Sequence, residues 1–281
     1  MNADLAKKLI RLRFQVGSFL FPRWTAEKAF VVFTSPQRTP RPESEKAWTD
    51  AAEKGSLKNG IATFSWGPRQ GPLVFLIHGW SGRGTQLGAF AAPLAQKGMR
   101  VVAMDGPSHG DSADGEANAG AYAQFIIDAE KELGRCDAVI GHSFGAGCAV
   151  LAIARGFQAK KLVLIASPSR YTRVVANFAQ RIGLGKRARI ELDHIITSRA
   201  GISPENLNIS LLGQNLKIKS LIVHDKDDKE VPYASGLEIH HTWPHSQLLT
   251  TQGLGHRRVL KDPLVVQTVA DFILEPSETL T

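Results

Sequence analysis

Residues 138–150 read Ala-Val-Ile-Gly-His-Ser-Phe-Gly-Ala-Gly-Cys-Ala-Val, and this stretch decides the fold. The apolar run Ala138–Ile140 leads into the pentapeptide Gly-His-Ser-Phe-Gly at 141–145, and an Ala-rich segment of helical composition follows. Glycines on both sides of a serine suit a sharp turn, because the backbone can then pass close to its neighbours without a side chain in the way. The pattern predicts that Ser143 sits on a strained turn between a buried strand and a helix.

The rest of the chain alternates short apolar runs with longer segments of helical period. This alternation is typical of βαβ units and a mainly parallel sheet, and the continuous apolar runs indicate strands covered by helices on both faces. The predicted strands are Ile61–Trp66, Leu73–Ile77, Arg100–Met104, Ala138–Ile140, Lys161–Ala166, Ser220–Val223 and Gln247–Thr251. The predicted helices between them are Thr85–Gln96, Ala119–Leu133, Phe144–Arg155, Tyr233–His240 and Pro263–Ile273.

The first 60 residues do not follow this alternation. A predicted helix from Ala3 to Phe21 mixes apolar and basic residues, and a Pro-rich, charged connection with one short helix near Glu43–Glu53 follows it. We expect residues 1–60 to pack on the core of an α/β domain formed by residues 61–281. Peripheral contact between the N-terminal helix and a membrane surface is the alternative interpretation of its amphipathic character.

A long segment, residues 171–215, interrupts the predicted sheet before its penultimate strand. It shows helical period around Val174–Ile182 and Ala188–Ile196, and it is too long for an ordinary loop. Functional loops of open α/β sheets gather outside the carboxyl ends of the strands, so we interpret the segment as a short helical lid. Its basic residues either attract an anionic substrate such as an acyl-coenzyme A or form a solvated face; they are Arg170, Arg173, Arg181, Lys186, Arg187 and Arg189.

Composition limits the class of protein. The formal net charge is +8, but the basic excess is spread along the chain without a zinc, helix-turn-helix or RNA-binding signature, which favours a solvated basic surface over nucleic-acid binding. Basic residues between Lys7 and Arg13 interrupt the apolar N-terminal stretch, so we expect neither a secretion signal nor a membrane span. Cys136 and Cys148 make no disulfide framework. A cytoplasmic location is therefore expected.

Ser143 needs two partners to act as a nucleophile, a histidine that takes its proton and a carboxylate that orients the histidine. His256 ends the glycine-rich segment 252–256, directly after the last predicted strand. The other histidines after Ser143 suit this role less well. His194 falls in the insertion, His224 ends a strand, and Pro244 breaks the helical spacing that a metal site would need from His240, His241 and His245.

Three aspartates follow the penultimate predicted strand, Asp225, Asp227 and Asp228. Any of them could orient His256, because one aspartate can cap the next helix while another points inward. The residues alone leave all three open.

The order of these motifs, from His78 to His256, resembles the α/β-hydrolase superfamily. Members commonly carry an Asp-x-x-Val-Pro sequence at the acid, and the match of residues 228–232 implies that Asp228 orients the histidine. His78-Gly79-Trp80 resembles the family's oxyanion segment, which implies the backbone N–H groups of Trp80 and Phe144 as the donors to the oxyanion. The resemblance makes His78 a residue that shapes this loop.

One competing motif overlaps the predicted oxyanion loop. Gly82-Arg83-Gly84 follows a strand and precedes Asp105 at the end of the next strand, which imitates a dinucleotide-binding fingerprint. Leu87 stands where that fingerprint needs a small residue, and residues 105–112 resemble an α/β-hydrolase loop instead. A dinucleotide site is therefore not expected.

The resemblance implies a serine hydrolase that cleaves a carboxylic ester or thioester of a small-molecule substrate through an acyl-enzyme. Ser143, His256 and Asp228 form the implied triad, and the reaction needs no metal or organic cofactor. The sequences around His78 and His256 are similar to those of the bacterial esterase- and thioesterase-like branch of the superfamily. The alternatives are an acyltransferase, a perhydrolase and a catalytically silent ligand-binding relative.

Overall fold

The computed structural model describes residues 3–276, and its central feature is a single sheet. The strands are β1 (Glu53–Ser56), β2 (Ala62–Trp66), β3 (Leu73–Ile77), β4 (Arg100–Met104), β5 (Cys136–His142), β6 (Lys161–Ile165), β7 (Lys219–Asp225) and β8 (Ser246–Thr251). Their spatial order is β1-β2-β4-β3-β5-β6-β7-β8. β2 is antiparallel to both β1 and β4, whereas every pairing from β4 to β8 is parallel. The predicted α/β-hydrolase fold with a mainly parallel sheet is confirmed.

Helices connect and flank these strands. They are α1 (Ala3–Leu20), α2 (Pro22–Phe33), α3 (Lys46–Asp50), α4 (Ala91–Gln96), α5 (Ala119–Leu133), α6 (Phe144–Ala154), α7 (Tyr171–Ile182), α8 (Lys186–Ala200), α9 (Ile209–Gly213), α10 (Ala234–Thr242), α11 (Gly255–Arg258) and α12 (Pro263–Leu274). Local chemistry fixes several starts. The side chain of Asn118 accepts a hydrogen bond from the Ala121 N–H at the start of α5, and Asp262 does the same for Val265 at the start of α12.

The core lies on both faces of the parallel strands. All five residues of β3 are at most 4% exposed, because helices cover the strand from each side. The buried residues of α12, which include Val265, Val269 and Phe272, join the cluster on one face. Each such apolar side chain stabilises the fold by about 1.5–3 kcal/mol relative to exposure.

The described residues divide into two compact units. The larger contains the sheet and runs from Pro36 to Ser169 and again from Ile209 onward, whereas the smaller joins the residues up to Ser35 with Arg170–Asn208. The expectation that residues 1–60 pack on the core stays a prediction. The interpretation of the insertion as a lid stays a prediction.

Small residues explain why the N-terminal helices pack on the insertion. Ala26 and Ala29 of α2 are fully buried in one apolar cluster with Leu192 and Ile196 of α8. The small side chains at these two positions permit close approach of the helices. In addition, Ser18 of α1 accepts a hydrogen bond from the N–H of Gly185, directly before α8, at 2.9 Å.

Three local differences from the sequence-based elements have physical causes. β1 was not predicted, because its residues Glu53–Ser56 are all exposed and carry no apolar signal. α2 was not predicted either, because Val31 and Val32 face solvent and blur its helical period. The segment predicted as one helix, Thr85–Gln96, is a 3₁₀ helix over Gly84–Phe90 followed by α4.

Candidate active site

Ser143 occupies a strained turn between β5 and α6. Its backbone angles are φ 52° and ψ −119°, a conformation that side-chain-bearing residues rarely adopt. A side chain on Gly145 would place a Cβ 2.3 Å from the carbonyl oxygen of His78, and one on Gly141 would lie 2.6 Å from the Cα of Ala146. The turn therefore requires both glycines, and it leaves Ser143 partly exposed.

His256 lies beside Asp228. Its Nδ1–H donates to Asp228 Oδ2 at 2.7 Å, and His224 Nε2 lies 3.6 Å from the same oxygen. The other oxygen, Oδ1, accepts hydrogen bonds from the N–H groups of Glu230 and Val231 at 2.8 and 2.9 Å. Burial alone would raise the pKa of Asp228, but the nearby His224 ring and the hydrogen bond from His256 outweigh it and hold the pKa well below its usual range.

This bond fixes the histidine tautomer. With Nδ1 protonated, Nε2 of the neutral His256 ring is available as a base. Nε2 lies 4.0 Å from Glu230 Oε2, and within residues 3–276 no hydrogen bond joins it to Ser143 Oγ. Catalytic hydrogen bonds of this type often tighten only when substrate is bound.

The three candidate aspartates have different partners. Asp225 accepts hydrogen bonds from the N–H groups of Asp227, Leu254 and Gly255 and from the Thr251 hydroxyl, at 2.7–3.1 Å. Asp227 accepts one from the Gly253 N–H at 2.9 Å. Both carboxylates thus secure the loop that carries His256, whereas Asp228 alone of the three contacts the ring.

The predicted oxyanion loop lies against the turn at Ser143. A Cβ on Gly79 would be 3.0 Å from Ser143 Cβ, so glycine is needed for this approach. The next residue, Trp80, places its ring edge-on to Phe144, with 5.3 Å between the ring centroids. Both predicted donor residues, Trp80 and Phe144, therefore flank Ser143.

His78 fastens this loop to its neighbour. Its Nε2 accepts from the Gly106 N–H at 2.9 Å, which assigns the ring proton to Nδ1, and Nδ1 donates to Gly79 O at 2.7 Å. Burial lowers the pKa of His78 to about 4. The neutral ring holds the loop in shape, in the role that the resemblance implies.

Asp105 has a structural role in the adjoining loop. Its carboxylate is fully buried and accepts hydrogen bonds from the N–H groups of Gly84 and Asp111 at 2.6 and 2.8 Å. Arg41 pairs with it at 3.2 Å. Both oxygens are engaged inside the protein, so Asp105 is not arranged to hold the ribose of a dinucleotide.

Comparison with known proteins identifies the superfamily. A model described as the alpha/beta hydrolase family matches residues 74–207, and one described as TAP-like protein matches residues 203–279. The chain belongs to the α/β-hydrolase superfamily. The bifunctional esterase/perhydrolase DCH of Acinetobacter calcoaceticus is 35% identical over 106 residues, which are 36% of this chain and 38% of that protein. The match thus spans well under half of that relative.

Solved structures share the fold of this α/β hydrolase. The thioesterase domain from the curacin biosynthetic pathway has a TM-score of 0.60 at 21% identity, with 80% of this chain and 100% of that chain covered. A membrane phospholipase A described as a bacterial virulence factor has a TM-score of 0.63 at 17% identity, with 97% and 98% covered.

Sequence reasoning missed one buried histidine of this α/β hydrolase. His142 precedes Ser143, and its Nε2–H donates to the carbonyl oxygen of His256 at 3.0 Å, with 4.7 Å between the two ring centroids. Burial lowers the pKa of His142 to about 3, so the ring is neutral. His142 thereby links the serine turn to the histidine loop. Its place in the 141–145 pentapeptide carried no signal of that long-range contact.

The described part of the chain contains no group of three or more His, Cys, Asp or Glu side chains arranged to hold a metal ion. In the same residues no helix is long and apolar enough to cross a membrane.

Three buried neutral histidines predict acid sensitivity. Burial lowers the pKa of His78 to about 4 and those of His109 and His142 to about 3, from an ordinary value of 6.5. Below about pH 6.5 the unfolded chain binds protons that the folded protein does not. Each ring then lowers the free energy of unfolding by about 1.4 kcal/mol per pH unit until its folded pKa is reached, and contributes nothing above pH 6.5.

Urea denaturation from pH 7 to pH 5 measures this slope. His109→Gln is expected to flatten it by about 1.4 kcal/mol per pH unit, because one buried ring is removed. His245→Gln is the matched control, since His245 is exposed and should leave the slope unchanged. An unaltered slope in His109→Gln would contradict the prediction.

Proposed function

We propose that this α/β hydrolase is a serine hydrolase that cleaves a carboxylic ester or thioester through an acyl-enzyme on Ser143. The observation that carries the proposal is the His256–Asp228 hydrogen bond of 2.7 Å together with the strained turn at Ser143. A serine hydroxyl is a poor nucleophile at neutral pH and needs a base whose tautomer is fixed. The Asp228 carboxylate fixes that tautomer.

The first half of the reaction forms the acyl-enzyme. Ser143 Oγ attacks the carbonyl carbon while its proton passes to His256 Nε2, and the carbonyl oxygen takes up the negative charge. The backbone N–H groups of Trp80 and Phe144 stabilise that oxyanion in this proposal. When the tetrahedral intermediate collapses, the carbon–oxygen or carbon–sulfur bond breaks, and the proton on His256 goes to the departing alcohol or thiol.

The second half regenerates the enzyme. His256 takes a proton from water, whose oxygen attacks the acyl carbon, and the proton then returns to Ser143 Oγ as the carboxylic acid leaves. Asp228 stays ionised throughout and stabilises the transient imidazolium. Its lowered pKa keeps the carboxylate charged at neutral pH.

The relative in Acinetobacter calcoaceticus supports a second acceptor of the acyl group, besides water. Its name describes both an esterase and a perhydrolase. In a perhydrolase reaction, hydrogen peroxide replaces water in the second half and the product is a peroxy acid. The same acyl-enzyme serves both outcomes, so the proposal of ester cleavage does not depend on which acceptor is used.

A fluorophosphonate probe tests the proposal. We expect stoichiometric covalent labelling of Ser143 in the folded protein, identified by peptide mass spectrometry, because the probe reacts with activated serines. Ser167 provides an internal comparison, because it is a buried serine two residues after β6 and should remain unlabelled. If the folded protein is not labelled at Ser143, the proposed function is wrong, and the alternative of a silent ligand-binding relative gains support.

A graded panel of p-nitrophenyl esters and acyl thioesters then separates the substrate classes. Each is assayed with water alone and with added hydrogen peroxide. Formation of the peroxy acid at the expense of the carboxylic acid would assign perhydrolysis, whereas unchanged acid release would assign hydrolysis.

A further inference from the structure

The N-terminal helices present most of the exposed apolar surface of the described residues. Among the residues that the structure describes, fifteen large hydrophobic side chains are exposed, and eleven of them lie on α1, α2 or the junction between them. Phe19 is 74% exposed, Phe21 64% and Trp24 62%. Monomeric soluble proteins rarely gather apolar side chains in this way unless the surface has a partner.

Five exposed apolar residues of α1 form one continuous stripe. Leu5, Leu9, Leu12, Val16 and Phe19 follow one another at spacings of four and three residues and are all exposed. At 3.6 residues per turn this spacing keeps them within an arc of roughly 100°. The opposite side of the helix carries Phe14 and Ser18, which pack inside the smaller unit. The stripe therefore faces away from the protein's own packing.

Basic residues border this stripe on both sides. Lys8 lies at one edge of the arc and Arg13 at the other, and both are exposed. Beyond the junction, Lys28 of α2 lies over the Trp24 ring, with its Nζ 5.4 Å from the ring centroid. An apolar stripe with cationic edges and a nearby tryptophan matches the interface of a bilayer, where apolar side chains enter the acyl region and cations meet phosphates.

We propose that α1 and α2 bind the surface of an anionic lipid bilayer, with the Leu5–Phe19 stripe inserted and Lys8, Arg13 and Lys28 contacting lipid phosphates. Charge selects this occupant over a second copy of the chain. In a parallel helix pair along the stripe, Lys8 and Arg13 take the flanking positions that face each other across the seam. The pairing would bring like charges together, whereas an anionic surface neutralises both.

Vesicle binding tests the proposal. The full chain is mixed with phosphatidylcholine vesicles containing 30% phosphatidylglycerol, or with phosphatidylcholine alone, and the bound fraction is measured by co-sedimentation. We expect binding to the anionic vesicles with a blue shift of tryptophan emission, and weakening by at least about tenfold when salt screens the charges.

Two sets of variants separate the apolar and ionic contributions. Leu12→Glu with Phe19→Glu is expected to reduce the vesicle partition coefficient at least about 100-fold, because both side chains leave the apolar phase. Lys8→Gln with Arg13→Gln is expected to reduce binding to anionic vesicles by about 25-fold, which is about 5-fold for each cation. Leu264→Glu on α12 is the matched control, since Leu264 is 64% exposed and lies outside the stripe.

Three outcomes would overturn the proposal. They are an absence of vesicle binding, equal binding to neutral and anionic vesicles, and equal loss in Leu264→Glu. Light scattering of the protein without vesicles tests the alternative that a second copy of the chain binds the stripe. A dimer that dissociates on Leu12→Glu with Phe19→Glu, without vesicle binding in the parent, would assign the stripe to a second copy. Ester cleavage is measured in parallel without vesicles, so failure here is distinguishable from failure of the proposed hydrolase activity.

Discussion

Ser143→Ala is expected to lower kcat by about 10⁵- to 10⁶-fold while the protein stays folded. The substitution removes the only oxygen that can form the acyl-enzyme in the proposed mechanism. Residual turnover comes from the backbone oxyanion donors and substrate binding, which retain part of the rate enhancement in serine enzymes that lose their nucleophile. Single-turnover assays with an ester substrate and circular dichroism measure the two quantities.

The matched control for this substitution is Ser108→Ala. Ser108 also has a positive φ, 61°, and its hydroxyl bonds only to the backbone of Gly115. Both variants therefore remove a hydroxyl from a serine with a positive φ. We expect Ser108→Ala to keep kcat within tenfold of the parent. Comparable losses in both variants would show that Ser143 has no special chemical role.

The core of the fold was predictable because burial leaves a signal in sequence. β3 and β4 were predicted with their observed bounds, since strands covered on both faces are continuous apolar runs. β1 left no such signal, because an exposed edge strand has no buried face to constrain its composition. Sequence periodicity shows which residues are buried. It reveals the pairing of a strand only where that strand is also buried.

The position of the N-terminal segment could not be predicted for a different reason. The helical period of α1 was visible, but its partner helices α7 and α8 lie more than 150 residues further along the chain. Several amphipathic helices have a similar period, and the sequence does not show which of them pack together. For α2, the fit of small residues such as Ala26 and Ala29 against α8 selects the partner, and that fit depends on three-dimensional packing.

The sequence predicted where the residues of the candidate site lie along the sheet better than it predicted which of their side chains contact each other. Parallel strands place their carboxyl ends at one edge, so a serine after β5 and a histidine after β8 were expected near each other. The choice among Asp225, Asp227 and Asp228 depended on side-chain direction, which sequence does not encode. Motif resemblance suggested Asp228, and the structure supplies the contact to His256 that the residues alone left open.

After Ser143→Ala, the single substitution with the largest expected effect on kcat is Asp228→Asn. An asparagine can still accept the N–H groups of Glu230 and Val231, so the loop is expected to stay folded. However, its NH₂ group would face His256 and require Nδ1 to act as an acceptor. The ring proton then moves to Nε2, which can no longer take a proton from Ser143. The wrong tautomer is expected to lower kcat by about 10⁴-fold.

Asp225→Asn and Asp227→Asn provide matched controls, because they make the same chemical change within three residues of Asp228. Asp225→Asn weakens hydrogen bonds that hold Leu254 and Gly255, so a lower melting temperature and a loss of roughly 10- to 100-fold in kcat are expected. Asp227→Asn affects one exposed bond to Gly253 and should change kcat less than tenfold. A carboxylate that acts by orienting His256 must show its effect in kcat without unfolding. If Asp225→Asn abolished turnover in stable protein while Asp228→Asn remained active, the acid would be Asp225.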